Sequence, residues 1–472
     1  MSLTKKIAYN AFVQIAGKAV SVGLSLIVVG LLTRYLGQTG YGYYTTIFAF
    51  LQVFGILVDL GLQMTTAQLI SDPNVSEAKI FGNIFGLRLA TAIIFTALAP
   101  TVGLLFPYPN IVKAGLFLMS LTFLFSALSS IFVSVFQKYL AMGKVMAAEM
   151  AYKALLLTLT FLAVYYKLNF YAILTAAIIP SAVYFYLLFI FANKYFKIKI
   201  YFQLYEWKKI FIKSWPIALT IALNLVYFKA DTIILAIFRT PAEVGIYGAP
   251  YRVLEVLINF SYLFLGLLLP QLAKNFLTKN FVQFKNLLQQ GFDALIIITV
   301  PMIFGTYFTG VKIMEIVAGA EFSVSGEILK ILILATGAIF IAALFGYAVV
   351  AIEKQKEMIK FYFINAVLSL MAYFIFIPIY GYWAGAWLTV ISEGFILLTA
   401  YWVVYKNIKF RPKLNIFFKA LTSSLVMAAV LHYLAVDNLL AIIALGAAVY
   451  LGMMGVTRGI SKKLLMEIIS KK

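Results

Sequence analysis

The chain has 472 residues, 64% of them hydrophobic and 12% charged, with a formal net charge of +21. Soluble domains run near half apolar and a quarter charged, so this composition excludes a chain solvated by water alone and makes lipid the solvent for much of its surface. Cysteine is absent and His432 is the single histidine, which excludes disulfides, thiolate metal sites and multi-histidine metal clusters.

In chain order, fourteen apolar runs are long enough to cross a bilayer core of about 30 Å. They cover 9–32, 41–64, 81–105, 112–136, 145–166, 170–191, 214–238, 247–269, 291–309, 328–352, 358–378, 383–405, 416–435 and 439–456. The expected fold class is therefore an all-α polytopic membrane protein. The runs are long and continuous, unlike the short alternating segments of a β-barrel. The first run follows Lys5 and Lys6 directly, exceeds a signal-peptide core and carries no small-residue cleavage site, so it reads as a span.

The basic residues set the orientation. Of 38 Lys and Arg, 27 fall in the termini and even-numbered connections, with Lys360 and Lys419 at the edges of their spans counted there, five (Arg34, Lys113, Lys167, Arg239 and Lys312) in the odd-numbered ones, and six deeper within spans. The positive-inside rule then puts both termini in the cytoplasm, with the protein in the cell membrane. A basic rim facing anionic membrane lipid accounts for the net charge without nucleic acid. Two stretches, 200–213 and the amphipathic tail 458–472, are expected to lie on the cytoplasmic membrane surface. A disordered basic tail is the alternative for the last residues.

An internal repeat runs at an offset of 203. Lys5-Lys6-Ile7 recurs as Lys208-Lys209-Ile210, Gly42-Tyr43-Tyr44 meets Gly245-Ile246-Tyr247, and Val53 meets Val256. Six spans separate the copies, an even number, so both have the same orientation. Two parallel six-helix lobes follow, 1–196 and 204–406, with two additional spans over 410–457.

Charges inside spans each cost roughly 2.5–3.5 kcal/mol at mid-membrane, so they face a cavity or a partner. On the first span Asn10, Gln14, Lys18, Ser21 and Ser25 share one helical face. That stripe reads as a cavity wall with Lys18 available to an anion; adhesion between helices through small and polar residues is the alternative. On the second span Thr45, Gln52 and Asp59 recur seven apart, and the seventh carries Thr220, Asn224, Tyr227 and Asp231, with Asn224 in the place of Ser21 by the repeat.

Arg88 has no carboxylate near it in sequence, and Lys229 and Asp231 point to different sides of one helix. Glu149 and Lys153 are spaced as a structural i, i+4 pair, and Arg252 and Glu255 as an i, i+3 pair. Glu393 is mid-span and alone in its neighbourhood, either a cation or proton site or the partner of a distant base. Asp59, Asp231 and Glu393 are the candidates for ion coupling. No phosphate loop, zinc motif or serine elbow is present, so the expectation is a non-enzyme without cofactor or metal. Energy must come from an ion gradient, the membrane potential or a partner.

The stretch Thr33–Leu62, TRYLGQTGYGYYTTIFAFLQVFGILVDLGL, resembles the opening of oligosaccharide flippases of the polysaccharide-biosynthesis type, within the multidrug/oligosaccharidyl-lipid/polysaccharide exporter superfamily. Trp215–Leu257, with ADTIILAIF and VGIYGAPYRVLEVL, resembles the start of that family's second lobe. The resemblance implies a central cavity between two lobes, alternating access, and export of a polyprenyl-diphosphate-linked oligosaccharide. It implies that cavity cations receive the diphosphate, and Lys18, Arg88, Lys229 and Arg252 are the positions for this role, with Gln14, Ser21 and Asn224 beside them. A monovalent cation or proton and polysaccharide assembly proteins are the further partners it allows. A cation-coupled drug or small-molecule antiporter, a lipid II flippase and a non-transporting assembly subunit are the alternatives. The arginine-rich first helix of lipid II flippases is not matched, since Lys18 is the only cation within the first span.

Overall fold

The structure is a computed structural model that describes residues 3–70, 76–434 and 438–459. The amphipathic tail expected from Ile460 onward lies outside the described residues, as do the side chains of Asn10 and Thr220. The elements are α1 Leu3–Asp59, α2 Leu62–Leu69, α3 Glu77–Gly103, α4 Asn110–Lys138, α5 Met142–Tyr165, α6 Phe170–Thr175, α7 Ile178–Asn193, α8 Leu204–Phe238, α9 Pro241–Leu277 and α10 Phe281–Ala318. After a single 3₁₀ turn come α11 Ser323–Ala351, α12 Gln355–Tyr380, α13 Tyr382–Ile408, α14 Asn415–Leu434 and α15 Leu439–Val456. No strand occurs among the described residues.

Among the described residues thirteen helical runs are long and apolar enough to cross a membrane. The first of them holds two crossings. A straight helix over all of α1 would reach about 85 Å, nearly three bilayer cores. Gly37, at φ 62° and ψ −175°, breaks it in a backbone region open to glycine. Fourteen crossings result, as the hydropathy predicts. Elsewhere helices end on left-handed residues such as Leu140, Lys167, Lys279, Glu353 and Arg458. The next amide closes back five residues, as in Ala141 N to Phe136 O and Leu168 N to Ala163 O, which satisfies carbonyls that lipid could not.

The chain divides into two compact units, Met1–Gly248 with Leu370–Tyr382, and Ala249–Ser369 with Trp383–Lys472. The first has an aromatic core in which Phe81, Phe85, Phe132 and Phe136 are buried between α3 and α4. The second is centred on α10 and α11 with α13 to α15 around them; Tyr450 donates to the Ile297 carbonyl at 2.8 Å and fastens α15 to α10.

Within the first unit the start of α9 crosses α1 at backbone contact. A Cβ on Gly42 would fall 1.7 Å from the Pro241 carbonyl oxygen, and one on Gly245 would fall 2.1 Å from the Gln38 carbonyl oxygen. One on Gly248 would meet Thr45 Cγ2 at 2.4 Å. Positions 38, 42 and 45 map onto 241, 245 and 248 by the offset of 203. The contact is thus self-complementary: each copy's glycine receives the other copy's carbonyl, as at a two-fold interface.

The segment ahead of α8 is fixed to α3. Tyr201 N donates to the Gly82 carbonyl at 3.1 Å, and Asn83 and Gln203 exchange bonds at 3.2 and 3.3 Å. Residues 204–213, expected to lie flat on the membrane, instead form the first turns of α8 and run on into the seventh span. The anchored segment sets their direction, and Tyr205, Phe211 and Trp215 remain exposed for the interface.

The break between α1 and α2, at Leu60 (φ 47°) and Gly61 (φ 71°), leaves carbonyls of α1 without helical partners inside the membrane. Arg88 of α3 closes it. Its Nη1 donates to the Val58 carbonyl at 3.0 Å and to Asp59 Oδ1 at 2.6 Å, its Nε to the Ala127 carbonyl at 2.9 Å, and its Nη2 to Ser130 Oγ at 2.5 Å. Thr91 Oγ1 also donates to the Val58 carbonyl, at 3.1 Å. A cation at a helix C-terminus is favoured by the dipole as well.

Two outcomes test this architecture. Gly42→Ala should lower the melting temperature of the solubilised protein by overpacking worth about 1–3 kcal/mol. Gly23→Ala, where nothing lies within 4 Å of the added carbon, should not lower it. Arg88→Ala should cost about 3–5 kcal/mol, because Asp59 loses its counter-charge, while Arg88→Met with Asp59→Leu should recover only the part due to the bare carboxylate, since the Ala127 carbonyl loses its Arg88 donor and the Val58 carbonyl keeps only Thr91. Thermal unfolding of the four variants beside the parent measures both.

Candidate functional site

Within the first unit, two cavities among the described residues carry charged side chains on largely apolar walls. One, of about 330 Å³, sits among α1, α3 and α4 and is lined by Gln52, Asp59, Gln63, Arg88, Ser126 and Ser130 among others. The other, of about 410 Å³, sits among α1, α4, α5 and α7 and is lined by Lys18, Glu149, Tyr152, Lys153, Ser181 and Tyr184 among others. Gln52, Phe123 and Ser126 line both. The sequence builds them by placing polar residues at helical spacing on the two arms of α1, opposite serines and threonines of α4.

The electrostatics differ between the two. In the smaller cavity Arg88 is closed off by the four acceptors described above, and its side chain is 4% exposed. In the larger one Lys18 Nζ donates to Glu149 Oε1 at 3.2 Å, and Ser21 Oγ donates to the same oxygen at 2.6 Å. Ser25 Oγ donates to the Ser21 carbonyl at 2.9 Å. Gln14 lies on the same helix, partly buried. Gln52 Oε1 and Thr122 Oγ1 are buried and have no protein partner among the described residues. A hydroxyl-bearing ligand or a water entering the cavities would satisfy them.

The other candidates sit elsewhere. Asn224 Nδ2 donates to Tyr227 Oη at 2.5 Å, and Tyr373 Oη donates to the Tyr227 carbonyl at 2.9 Å. Lys229 is partly buried, with its ammonium 5.1 Å from the Phe228 ring centre. Asp231 is fully buried and accepts from Tyr247 Oη at 2.6 Å and from the Thr232 amide at 2.5 Å. In the second unit Arg252 Nη1 donates to Glu255 at 3.1 Å, the i, i+3 pair foreseen in the sequence. Glu393, 5% exposed, lies within electrostatic reach of Tyr262 and Tyr362.

At the end of α4, outside the span, Lys138 pairs with Glu77 at 2.6 Å, and Tyr139 Oη donates to the same carboxylate at 2.5 Å. Burial, that hydrogen bond and the Glu77 charge push the Tyr139 phenol up to about 12. Among the described residues no group of three His, Asp or Glu is placed to hold a metal ion.

The i, i+4 spacing points Glu149 to Lys153, one turn away, whereas in the structure its carboxylate reaches across to Lys18 and Ser21 of α1. The spacing also leaves Arg88 without a carboxylate, where Asp59 of another helix supplies one. The polar stripe on the first span signalled that Lys18 and Ser21 share a face, but nothing in the periodicity names the helix opposite.

Residues 7–276 match the family described as polysaccharide biosynthesis protein. The capsular polysaccharide biosynthesis protein CapF of Staphylococcus aureus is 26% identical over 220 residues, 46% of this chain and 55% of that protein. The probable low-salt glycan biosynthesis flippase Agl15 of Haloferax volcanii is 27% identical over 106 residues, 22% of each chain. The chain thus spans about half the length of the first relative and about a fifth of the second. Among solved structures, the lipid II flippase MurJ in an inward closed conformation superposes with a TM-score of 0.79 at 18% identity, covering 94% of this chain and 98% of that one. An inward-facing multidrug resistance transporter of the MATE family superposes at 0.68 with 10% identity, covering 84% and 98%. At such identities these two show the fold alone: an all-α polytopic membrane protein of the architecture they share. The match over more than half of its length makes this chain a member of the polysaccharide biosynthesis protein family.

Proposed function

We propose that the protein is a flippase that carries a polyprenyl-diphosphate-linked oligosaccharide from the cytoplasmic to the outer leaflet of the cell membrane. Two repeat halves, 1–196 and 204–406, alternate the side to which a polar cavity opens, and the segment 410–457 adds two helices to that core. Family membership supports the glycan substrate, and the flippase among the relatives supports the direction of the chemistry.

The observation that carries the reading is the polar cavity with Lys18 on its wall. A lipid-linked diphosphate leaves its tail in the bilayer and must shed phosphate hydration to cross. A partly hydrated ammonium inside a helical bundle offsets that loss. Ser21, Gln14 and Asn224 supply hydroxyl and amide groups suited to sugars, while Asp59, Asp231 and Glu393 are the carboxylates proposed to couple transport to a proton or monovalent cation. The +21 charge supports cytoplasmic termini facing anionic lipid.

Reporter fusions after Lys167 and after Asp437 should both read outside; a cytoplasmic signal at either contradicts the orientation. Deleting the gene should accumulate lipid-linked glycan in the cytoplasmic leaflet, and the intact gene should clear it. Lys18→Ala should fail to clear it at matched membrane levels, and Lys18→Arg should clear it in part, because the charge is kept but the donor geometry changes. Unchanged glycan lipid together with lost drug tolerance would instead mark an antiporter.

A further inference from the structure

The two cavities described above are electrically unlike. In the smaller, one guanidinium faces one carboxylate, and every guanidinium nitrogen of Arg88 has an acceptor. Four of its five N–H donors are thus committed to the protein, and its charge is matched by Asp59. The larger is lined by two cations, Lys18 and Lys153, against one carboxylate, Glu149. It carries an excess positive charge.

The hold on Lys18 is also weak. Charge-assisted N–H···O bonds run near 2.7–2.9 Å, and the Lys18–Glu149 bond is 3.2 Å. The accepting oxygen also takes the shorter bond from Ser21, at 2.6 Å. The Lys18 side chain is 35% exposed and that of Glu149 15%. An ammonium has three donors, and among the described residues one hydrogen bond from Lys18 is recorded.

A diphosphate offers more charge and more acceptor oxygens than a carboxylate. It competes for Lys18 on favourable terms, and the donor that leaves Glu149 has a replacement. Lys153 is one helical turn along α5 from Glu149 and lines the same cavity. Ser21 also donates to this carboxylate. Exchange of Lys18 from Glu149 to the phosphate therefore strands no buried charge, which is the usual cost of breaking such a pair.

We propose that the Lys18–Glu149–Lys153 cavity is a diphosphate site in which Glu149 is the resident counter-ion, displaced from Lys18 on loading and returned to it on release. This rests on the flippase reading and adds a residue to it. Glu149 is a positioning residue: it holds Lys18 in place between cycles and keeps the anion from binding too tightly to leave. A permanently bare cationic site would load well and discharge slowly.

The test uses the purified full-length protein in phosphatidylcholine nanodiscs and inorganic pyrophosphate as probe, titrated by calorimetry. Glu149→Gln should bind pyrophosphate on the order of tenfold more tightly than the parent, as removal of a partly exposed competing charge predicts. Lys18→Ala should lose most of the binding, alone and combined with Glu149→Gln. Lys153→Gln, which keeps the Lys18–Glu149 pair intact, should weaken binding severalfold and guards against a Glu149→Gln variant that fails to fold. In cells, Glu149→Gln should slow clearance of the lipid-linked glycan despite its tighter binding, a split that simple loss of structure does not produce. Pyrophosphate binding that is no tighter in Glu149→Gln and untouched by Lys18→Ala overturns the site. So does binding of glucuronate in place of pyrophosphate, which would make the cavity a receptor for acidic sugar. If the affinities follow this order but gene deletion leaves the glycan lipid unchanged, the anion site stands and the flippase reading falls.

Discussion

Inside a bilayer no water is at hand to complete a broken helix or an unpaired charge, and this constraint governs the first unit. The chain breaks its second crossing at Leu60 and Gly61 and must find donors for the carbonyls it frees. Arg88 supplies them, and Asp59 neutralises Arg88 in turn. The guanidinium that the sequence offered as an anion receptor is thereby committed to the backbone. Lys18 has a different fate because its helix is continuous there. Its ammonium closes no break and is held by a side chain alone. The difference between a cation that staples the fold and one free to exchange partners follows from where the helices are interrupted.

The repeat obeys the same economy. Close crossing of two helices in lipid gains from packing alone and needs small residues at the contact. Gly42 and Gly245 provide one such residue from each copy, and each receives the other's backbone. The adhesion at this crossing explains why α8 and the first turns of α9 group with the first unit, although the repeat assigns them to a second lobe.

Much of the fold was legible in the sequence. Hydropathy located all fourteen crossings, because apolar length is a one-dimensional property that the bilayer reads directly. It also separated the first two crossings, which the backbone joins into one run interrupted only at Gly37. Ends were less legible: α9 and α10 extend a turn or more beyond the apolar windows, since polar residues at a helix end continue it into the headgroups. Partners across helices were the least legible. Lys18 and Glu149 are 131 residues apart, and Arg88 and Asp59 are 29 apart. Periodicity tells which residues share a face but not which helix that face meets. For Glu149 the nearer lysine in sequence therefore drew attention from the one its carboxylate reaches. The repeat placed Ser21 and Asn224 in equivalent positions, yet one bonds a carboxylate and the other a phenol.

On the proposed function, the Lys18–Glu149 pair serves stability and transport through separable roles. A double-mutant cycle with Lys18→Gln, Glu149→Gln and their combination reads both, with unfolding of the solubilised protein on one axis and flipping in reconstituted vesicles on the other. The combined variant should regain stability close to that of the parent, because no charge is left bare, while it flips no faster than Lys18→Gln alone. A combined variant that flips as fast as the parent would show the pair to be structural only and would contradict the account.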